Sequence, residues 1–388
     1  WETVVPKDRL NYIIGNPPFL GYSLQSPKQK ADLLSVYVDE NGKPYKTAGK
    51  IDFVSAWYFK ASQIMQNTSI RTALVSTNSI TQGEQVASVW RPLYERFGIQ
   101  IDFAHQTFKW NSEAKDKAAV HCVIIGFSCT DNKGIKFLFN GENIELVDEL
   151  NPYLKPGKTV FIENISNPIC PVTKMTTGNR PADGGHLIIE AEEYADFIRR
   201  EPKAKKYIKR LTGAAEFINN KDRYCLWLVD VSPKELRTMP LVMNRIELCR
   251  QARLAGAPDR QKLASTPTVF REQKNPESYI IVPSTSSENR RYIPIGFLDG
   301  ETIPTNSATI IEDATLYDFG ILTSNVHMAW MRTVAGRLEM RYRYSAKIVY
   351  NNFPWPEVTD AQKEIISKTA QAILDARSLY PDSSLADL

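Results

Sequence analysis

The chain has 388 residues, of which 43% are hydrophobic and 24% charged, a balance typical of folded globular proteins with two or three domains. The sequence has no run of about eighteen apolar residues, which excludes a membrane-spanning helix, and its first residues lack the basic and apolar regions of a signal peptide. The net charge of +4 is too small to establish a nucleic-acid partner.

Cysteine content predicts the compartment. The five cysteines form no Cys-X-X-Cys pair and are odd in number, which predicts free thiols in a reducing cytoplasm and argues against a zinc site or a disulfide framework. The chain has no initiator methionine and begins in a strand-like segment, so we interpret it as part of a longer protein.

Over the first 130 residues, short apolar runs alternate with helical patterns, as in parallel α/β units. The runs at 10–15, 72–76, 99–103 and 118–127 predict strands, and the patterns over 51–65 and 82–97 predict helices. We expect the first strand to be buried. The fourth is continuously apolar, which predicts a strand covered on both faces.

The pattern changes after about residue 140. Proline-bounded turns between 151 and 170 indicate a linker, and irregular mixed elements continue to about residue 356. The last piece, 359–380, is predicted as a helix that Thr359 or Asp360 caps and Pro381 ends. Its apolar face comprises Ile365, Ile366, Thr369, Ile373 and Leu374.

The sharpest motif is Asn16-Pro17-Pro18-Phe19, directly after the first predicted strand. Consecutive prolines restrict the backbone and remove two N–H donors, so the turn is rigid and its carbonyl groups stay available. The Asn16 side-chain oxygen and the Pro17 carbonyl would be convergent acceptors, with Phe19 as an adjacent aromatic face. This arrangement suits the exocyclic amine of a planar base, although the same residues could merely end a strand.

Residues 14–19 resemble motif IV of the DNA methyltransferases that modify the exocyclic amine of adenine. Residues 52–58 and 74–80 are similar to the helix and the strand that follow this motif. Later segments resemble single-chain restriction–modification enzymes of the type IIL group. These segments are 178–181, 183–185, 224–228, 336–338, 343–345 and 350–356.

The resemblance implies an α/β fold with four parts. These are the C-terminal half of a Rossmann-like methyltransferase sheet over 1–150, a linker over 151–170, a mixed α/β target-recognition domain over 171–356 and a C-terminal helix over 357–388. The implied function is sequence-specific methylation of adenine in double-stranded DNA with S-adenosylmethionine, within a restriction–modification system. The adenine would be flipped out of the duplex. Asn16 and Pro17 would bind its amine, Pro18 would stiffen the turn and Phe19 would stack on the base.

A second aromatic face is expected just before the apolar strand 118–127. The resemblance favours Phe108, with Trp110 as second choice, for clamping the other side of the flipped base. Both could instead be ordinary core aromatics at a strand end.

The cofactor site departs from the family pattern. A glycine-rich turn that could hold S-adenosylmethionine is absent, and in this motif order it would lie before Trp1. We therefore expect the missing N-terminal part to be a partner of this chain, and the chain alone to bind cofactor weakly and to be inactive. Asp52 is a cofactor-binding candidate, or only a dipole partner at a helix N-terminus.

Two basic clusters are candidates for contacts with DNA phosphates. The first, within 199–210, includes Lys205 and Lys206, and could equally be a solvated helix. The second, within 332–347, interleaves arginines with Tyr342 and Tyr344. Its candidates are Arg337, Arg341 and Arg343.

A polar loop over 283–292 follows a predicted strand and occupies the place of the specificity loop in the type IIL family. Arginine reads guanine, glutamate reads cytosine and asparagine reads adenine. Glu288 and Arg290 are the favoured base readers, with Asn289 and Arg291 beside them. An ordinary surface loop is the alternative.

The sequence leaves three other functions open. Asp102, Glu113 and Lys115 match the metal-nuclease pattern D-x10-E-x-K, but Glu113 and Lys115 lie in a polar connection typical of a solvated loop, so no metal site is predicted. A DNA-binding specificity module without catalysis is the main alternative. Methyl transfer to a protein glutamine is a third, which the long basic second region disfavours.

Overall fold

Residues 5–110, 120–130 and 134–387 are described by the structure, a computed structural model of the chain. The chain divides into two compact units. The first unit comprises Trp1–Ile165 and Met331–Met340, and the second comprises Ser166–Trp330 and Arg341–Leu388. Glu113 and Lys115 of the nuclease-like pattern lie outside the described residues.

A six-stranded sheet forms the centre of the first unit, in the order β1-β2-β4-β3-β5-β6. The strands are β1 (Tyr12–Gly15), β2 (Arg71–Thr77), β3 (Gln100–Trp110), β4 (Val120–Ser128), β5 (Lys136–Asn140) and β6 (Asn143–Val147). The predicted α/β class and all four predicted strands are confirmed.

The parallel arrangement that the alternating pattern indicates is only partly present. β1 pairs with β2 in parallel and β3 with β5 in parallel, whereas β4 lies antiparallel between β2 and β3. No helical pattern separates β3 from β4 in the sequence, and neighbouring strands without a crossover helix pair antiparallel. The sheet is therefore mixed, and β1, β2, β3 and β5 point in one direction.

In the described part of the chain, three helices lie wholly within this unit. They are α1 (Pro27–Val36), α2 (Ser55–Met65) and α3 (Glu84–Phe97). Both predicted helices are present, although α2 begins four residues later than the apolar pattern. Tyr58 of α2 stacks on Phe127 of β4 and meets Trp90 of α3 edge-on, each at a centroid distance of 5.3 Å. These buried aromatic contacts fix α2 and α3 against the sheet.

The first strand lies at an edge, and the prediction that it is buried is wrong. β1 pairs with β2, and no described strand pairs with its other side. Tyr12 is 68% exposed and Ile14 is 81% exposed, because no described residue covers that face. Gly15, the last residue of β1, lies opposite Leu74 of β2.

The second unit contains two four-stranded sheets, ordered β14-β9-β10-β8 and β13-β11-β15-β7, and a separate pairing of β12 with β17. Its strands are β7 (Thr176–Thr177), β8 (Ile188–Glu190), β9 (Ile208–Thr212), β10 (Arg223–Leu226), β11 (Ser278–Pro283), β12 (Thr285–Ser286), β13 (Gly296–Asp299), β14 (Thr302–Pro304), β15 (Ala308–Glu312) and β17 (Arg341–Arg343). The strand β16 (Gly336–Leu338) falls in the first unit.

Eight further helices lie in the described part of the chain. They are α4 (Ala191–Arg200), α5 (Ala214–Asn219), α6 (Pro233–Leu236), α7 (Pro240–Leu254), α8 (Pro258–Gln261), α9 (Leu316–Leu322), α10 (Asn325–Val334) and α11 (Asp360–Ser378). Among the described residues, none of the helices has the length and hydropathy needed to span a bilayer. All five cysteines are free thiols, as predicted.

The C-terminal helix is confirmed, with its cap. Thr359 accepts a hydrogen bond from the backbone N–H of Gln362, and the Gln362 side chain accepts one from the backbone N–H of Thr359. This reciprocal pair is a capping box. The predicted apolar face is only partly covered, since Ile365 is 63% exposed and Ile373 is 38% exposed.

Arg253 of α7 is the central polar anchor of the second unit. Its side chain is fully buried and donates five hydrogen bonds of 2.7–3.2 Å to backbone carbonyl oxygens. These oxygens belong to Pro181, Ala182, Leu263, Thr266 and Val269. One guanidinium group thus joins residues 181–182 to the chain that follows α8.

A buried histidine makes the stability of the second unit sensitive to pH. His327 Nε2 lies 2.8 Å from the Tyr344 hydroxyl, and Nδ1 has no hydrogen-bond partner among the described residues. Burial lowers the pKa of His327 from 6.5 to about 3. Between these values the unfolded chain binds a proton that the folded chain excludes, so the free energy of unfolding falls as the pH drops below 6.5.

We expect this histidine to reduce the free energy of unfolding by about 1.4 kcal/mol per pH unit below 6.5, or about 2 kcal/mol at pH 5. Denaturant unfolding at pH 7 and pH 5 measures the difference. His327→Gln cannot titrate and should shrink the gap between the two pH values by a similar amount. An unchanged gap would show that folding does not lower the pKa of His327.

Candidate functional site

Three strands bring the candidate residues to one edge of the sheet. β1, β2 and β3 run in the same direction, so their carboxyl ends meet at the same edge. Asn16 follows β1, Asn78 follows β2, and Phe108 lies two residues before the end of β3. Thr77 and Phe108 are both opposite Cys122 of β4, which places the ends of β2 and β3 at one level.

The Asn16 loop is firmly held, but the Asn16 side chain is not. The backbone N–H of Phe53 donates to the Leu20 carbonyl at 2.9 Å, and the backbone N–H of Tyr22 donates to the Asp52 carboxylate at 3.1 Å. Asn16 itself is exposed, and its amide has no hydrogen-bond partner among the described residues. A rigid loop therefore presents an unused amide at the carboxyl edge.

The other residues of the motif differ in burial. Pro17 is buried, Pro18 is exposed and Phe19 is half-buried. The buried proline fixes the start of the turn against the first unit. Phe19 is only partly buried, three residues after Asn16, and its stacking role stays a prediction.

Asp52 links three segments behind this loop. One carboxylate oxygen accepts hydrogen bonds from the Tyr22 backbone and from Gln85 Nε2 at 2.8 Å, and the other accepts one from the Ser79 hydroxyl. The side chain is buried, with 6% exposure. Because both carboxylate oxygens accept hydrogen bonds from the protein, Asp52 stabilises the loop.

The same hydrogen bonds of Asp52 bear on whether the described residues could hold S-adenosylmethionine. The carboxylate of the acidic candidate for holding S-adenosylmethionine already accepts three hydrogen bonds from the protein, and the sequence has no glycine-rich turn. The described residues therefore do not form a complete site for this cofactor. Ser79 and Gln85 were missed in the sequence because their link to Asp52 spans 27 and 33 positions.

Phe108 and Trp110 lie on the same face of β3, with ring centroids 6.2 Å apart and an angle of 41° between the rings. Phe108 is half-buried and Trp110 is 41% exposed. Neither ring is part of the buried core, so both leave apolar surface near the strand end. Asn78 Nδ2 donates to the Thr107 hydroxyl at 3.5 Å, which ties the end of β2 to this part of β3.

A second candidate surface lies in the second unit, in the loop after β12. The backbone N–H of Arg290 donates to the Ser287 carbonyl at 3.3 Å, which closes a turn with Glu288 and Asn289 at its corners. Glu288 is half-buried, and its carboxylate has no partner among the described residues. Arg290 Nη1 donates to the Leu385 carbonyl at 2.9 Å, so this guanidinium is partly engaged.

Basic residues flank this loop. Arg291 lies over the Tyr292 ring, 5.4 Å from its centroid. β17 pairs antiparallel with β12 and places Arg343 opposite Thr285. Arg341 and Arg343 are exposed on one face of β17, while Tyr342 between them is buried. The sequence-predicted base readers and two predicted phosphate contacts therefore meet at one short sheet.

The first basic cluster is largely neutralised by acidic neighbours. Lys206 forms an ion pair with Glu235 at 2.5 Å and lies over the Tyr207 ring. The cluster contains further ion pairs: Arg199 and Arg200 with Asp196, Lys209 with Glu301, and Arg210 with Asp222. Lys205 is exposed, with no ion pair among the described residues. This favours a solvated surface for most of the cluster.

The nuclease-like pattern finds no support in the part of the chain that the structure describes. Asp102 is buried, and its carboxylate lies 3.6 Å from Lys136 Nζ. The described residues contain no cluster of three or more histidine, cysteine, aspartate or glutamate side chains suited to a metal ion.

Two family models match the chain. The model of the MmeI DNA-methyltransferase domain matches residues 1–140, and that of the MmeI target recognition domain matches residues 156–357. The fold and the matched residues define a methyltransferase domain joined to a target recognition domain. The chain belongs to the MmeI family of DNA methyltransferases with a target recognition domain, which confirms the resemblance to the type IIL group.

Two relatives are similar over nearly the whole chain. DNA methyltransferase A of Bacillus subtilis (strain 168) is 42% identical over 381 residues, covering 97% of this chain and 43% of that protein. The structure of the type IIL restriction–modification enzyme MmeI in complex with DNA matches with a TM-score of 0.90 and 46% identity, covering 100% of this chain and 52% of that one. The chain thus spans about half the length of these relatives.

Proposed function

We propose that the chain contains the base-binding edge and the recognition domain of a DNA methyltransferase that modifies the exocyclic amine of adenine, within a longer restriction–modification protein. The observation that carries the proposal is the exposed, unbonded Asn16 amide on a loop held by Asp52 and Phe53. The family match and the DNA-bound relative support it.

The proposed methyl transfer depends on the positioning of the target adenine. The target adenine would be flipped out of the duplex, because its amine cannot be reached inside the stack. The Asn16 side-chain oxygen and the Pro17 carbonyl oxygen would accept hydrogen bonds from the amine. These acceptors hold the nitrogen in place and stabilise the positive charge that it gains during transfer. Phe19 and Phe108 would hold the two faces of the base, with Trp110 beside them.

S-adenosylmethionine is the methyl donor that we propose for the whole protein. The described residues do not complete its site, so we assign the missing part to a further segment of the longer protein. The exposed edge of β1 supports this assignment. A groove of about 650 Å³, lined by apolar residues of β1 and by Leu33, Phe53 and Trp57, opens beside that edge. A strand paired with β1 would extend the sheet into a Rossmann-like methyltransferase domain.

The second unit would read the DNA sequence. We propose that Glu288 and Asn289 at the turn, with Arg290 behind them, contact base edges in the major groove. Arg291, Arg341 and Arg343 would contact phosphates beside them, with Lys205 and Lys206 as weaker contacts because Lys206 is already paired. Double-stranded DNA is thus the proposed partner of this chain.

A DNA-binding specificity module without catalysis is the second candidate, because the described residues leave the cofactor site incomplete. The two candidates differ in what happens to the target base. A module that only binds leaves the adenine stacked, whereas an amine-modifying enzyme extrudes it.

The test uses the whole product of the gene that encodes this chain. We expect transfer of a labelled methyl group from S-adenosylmethionine to adenine in duplex DNA. Once the modified position is located, 2-aminopurine placed there should become strongly fluorescent on binding. Binding without fluorescence or transfer would favour the specificity module, and no duplex binding would overturn both candidates.

A further inference from the structure

Residues Met331–Met340 belong with the methyltransferase part of the chain. They fall within the stretch that matches the target recognition domain, yet their contacts group them with the first unit. Gly83, which precedes α3, has a φ of +57°, and a Cβ there would lie 3.0 Å from the Gly336 Cα. The two backbones therefore approach as closely as glycine permits.

This approach places basic side chains beside the carboxyl edge. A cavity of about 170 Å³ opens there, next to the loop that follows β2 and the end of β3. Its polar lining includes Thr81, Gln82, Thr107, Lys155, Arg332 and Arg337. Three of these side chains are cationic, and the described lining contains no carboxylate.

The walls of the cavity are fixed by hydrogen bonds. Arg337 donates from Nη1 to the Met340 carbonyl at 3.1 Å and from Nη2 to the Arg332 carbonyl at 3.4 Å, which orients its guanidinium. Gln106 donates to the Leu154 carbonyl at 2.8 Å, next to Lys155. The Lys155 side chain is exposed, and its ammonium has no ion pair among the described residues.

Two polar groups of the cavity lining have hydrogen-bonding capacity that the described residues do not fill. The Gln82 side-chain oxygen is buried without a hydrogen-bond partner in the described part of the chain. The Thr107 hydroxyl accepts from Asn78, which leaves its own proton for an acceptor in the cavity. The Gln82 oxygen can only accept, so it needs a donor such as water, whereas the Thr107 hydroxyl can donate to an anionic ligand.

We propose that this cavity binds a backbone phosphate of the target DNA strand, next to the flipped adenine. The proposal rests on the proposed function and adds a phosphate site to it. Lys155, Arg332 and Arg337 supply positive charge, and Thr107 supplies a hydroxyl donor. Thr107 and Phe108 are consecutive residues near the carboxyl end of β3, so the cavity and the aromatic side chains share this edge of the sheet. The phosphate contact would hold the everted nucleotide by its backbone.

Salt dependence of DNA binding provides the first test. Each phosphate contact contributes about 0.9 to the slope of log affinity against log salt concentration. We expect Lys155→Gln and Arg337→Gln each to reduce the slope by about that amount in anisotropy titrations of a labelled duplex. Lys155→Arg should retain the slope. Lys43→Gln removes an exposed lysine from the turn between α1 and α2 and should leave it unchanged.

A neutral phosphate provides the second test. Methylphosphonate linkages replace, one at a time, the phosphates on either side of the modified adenine. One position should weaken binding by the wild-type protein and have no further effect on Lys155→Gln. Equal losses in both proteins at every position would overturn the proposal.

The outcomes separate this proposal from the proposed function. If the wild-type protein methylates DNA but Lys155→Gln and Arg337→Gln bind with unchanged slopes, the phosphate site is wrong and the function stands. A loss of affinity for S-adenosylmethionine instead of DNA would also overturn it, because the cavity would then hold the cofactor's carboxylate. If the wild-type protein neither binds nor methylates duplex DNA, the proposed function itself fails.

Discussion

Replacement of Asn16 by alanine is expected to lower methyl transfer to DNA by about 100- to 1,000-fold while leaving DNA affinity nearly unchanged. Loss of a single group that stabilises charge in a transition state typically costs this much in kcat. Asn16 is exposed and has no hydrogen-bond partner among the described residues, so alanine should change the free energy of unfolding by no more than about 0.5 kcal/mol. Single-turnover transfer and duplex binding, measured on the same preparation, check both parts.

A conservative variant and a control variant test the role of the Asn16 amide further. Asn16→Asp keeps an acceptor oxygen and should retain more transfer than Asn16→Ala. Asn41→Ala removes an exposed asparagine from a turn elsewhere in the first unit and should behave as the wild type. If Asn16→Ala transfers methyl groups at the wild-type rate, Asn16 does not bind the amine and the proposed chemistry is wrong.

The Asn16 loop could be predicted from the sequence because its stiffness is local. Two prolines restrict the backbone of their own residues and of their immediate neighbours. The four residues 16–19 are therefore enough to predict a rigid turn with free carbonyl groups. The anchor behind the loop is different. Ser79, Gln85 and Tyr22 meet at Asp52 from 27 to 33 positions away, and nothing in their spacing indicates that they share one carboxylate.

Strand positions followed from apolar runs, but strand neighbours did not. The pattern over 118–127 predicted a strand covered on both faces, and Cys122, Val123 and Ile125 of β4 are fully buried. Its antiparallel direction depends on the connection from β3. The edge position of β1 depends on what pairs with it, which its own residues do not encode. The place of Arg337 could not be predicted either. It depends on the contact of Gly83 with Gly336, which are 253 positions apart in the sequence.

The second large effect concerns Arg253. Replacement by methionine keeps much of the side-chain volume but leaves five backbone carbonyl oxygens without their donor. Breaking a buried charged network of this kind costs about 3–5 kcal/mol, which corresponds to a fall of about 10 °C in Tm for a unit of this size. Arg253→Lys should not restore the stability, since an ammonium has three donors and cannot reach carbonyl groups on both sides. Tryptophan fluorescence during denaturation reports the change, because Trp227 lies edge-on to Phe270 in this unit.

Arg250 is the matched control on the same helix. It pairs with Glu247 at 2.6 Å, but both side chains are nearly half exposed, so Arg250→Met should change the free energy of unfolding by less than about 1 kcal/mol. Both variants remove one positive charge from α7, which separates the effect of burial from that of net charge. Equal unfolding midpoints for Arg250→Met and Arg253→Met would contradict the role of Arg253 as an anchor. A lower unfolding midpoint for Arg253→Met than for Arg250→Met would show that one buried guanidinium stabilises the loops around Gly178–Pro181 and Leu263–Val269.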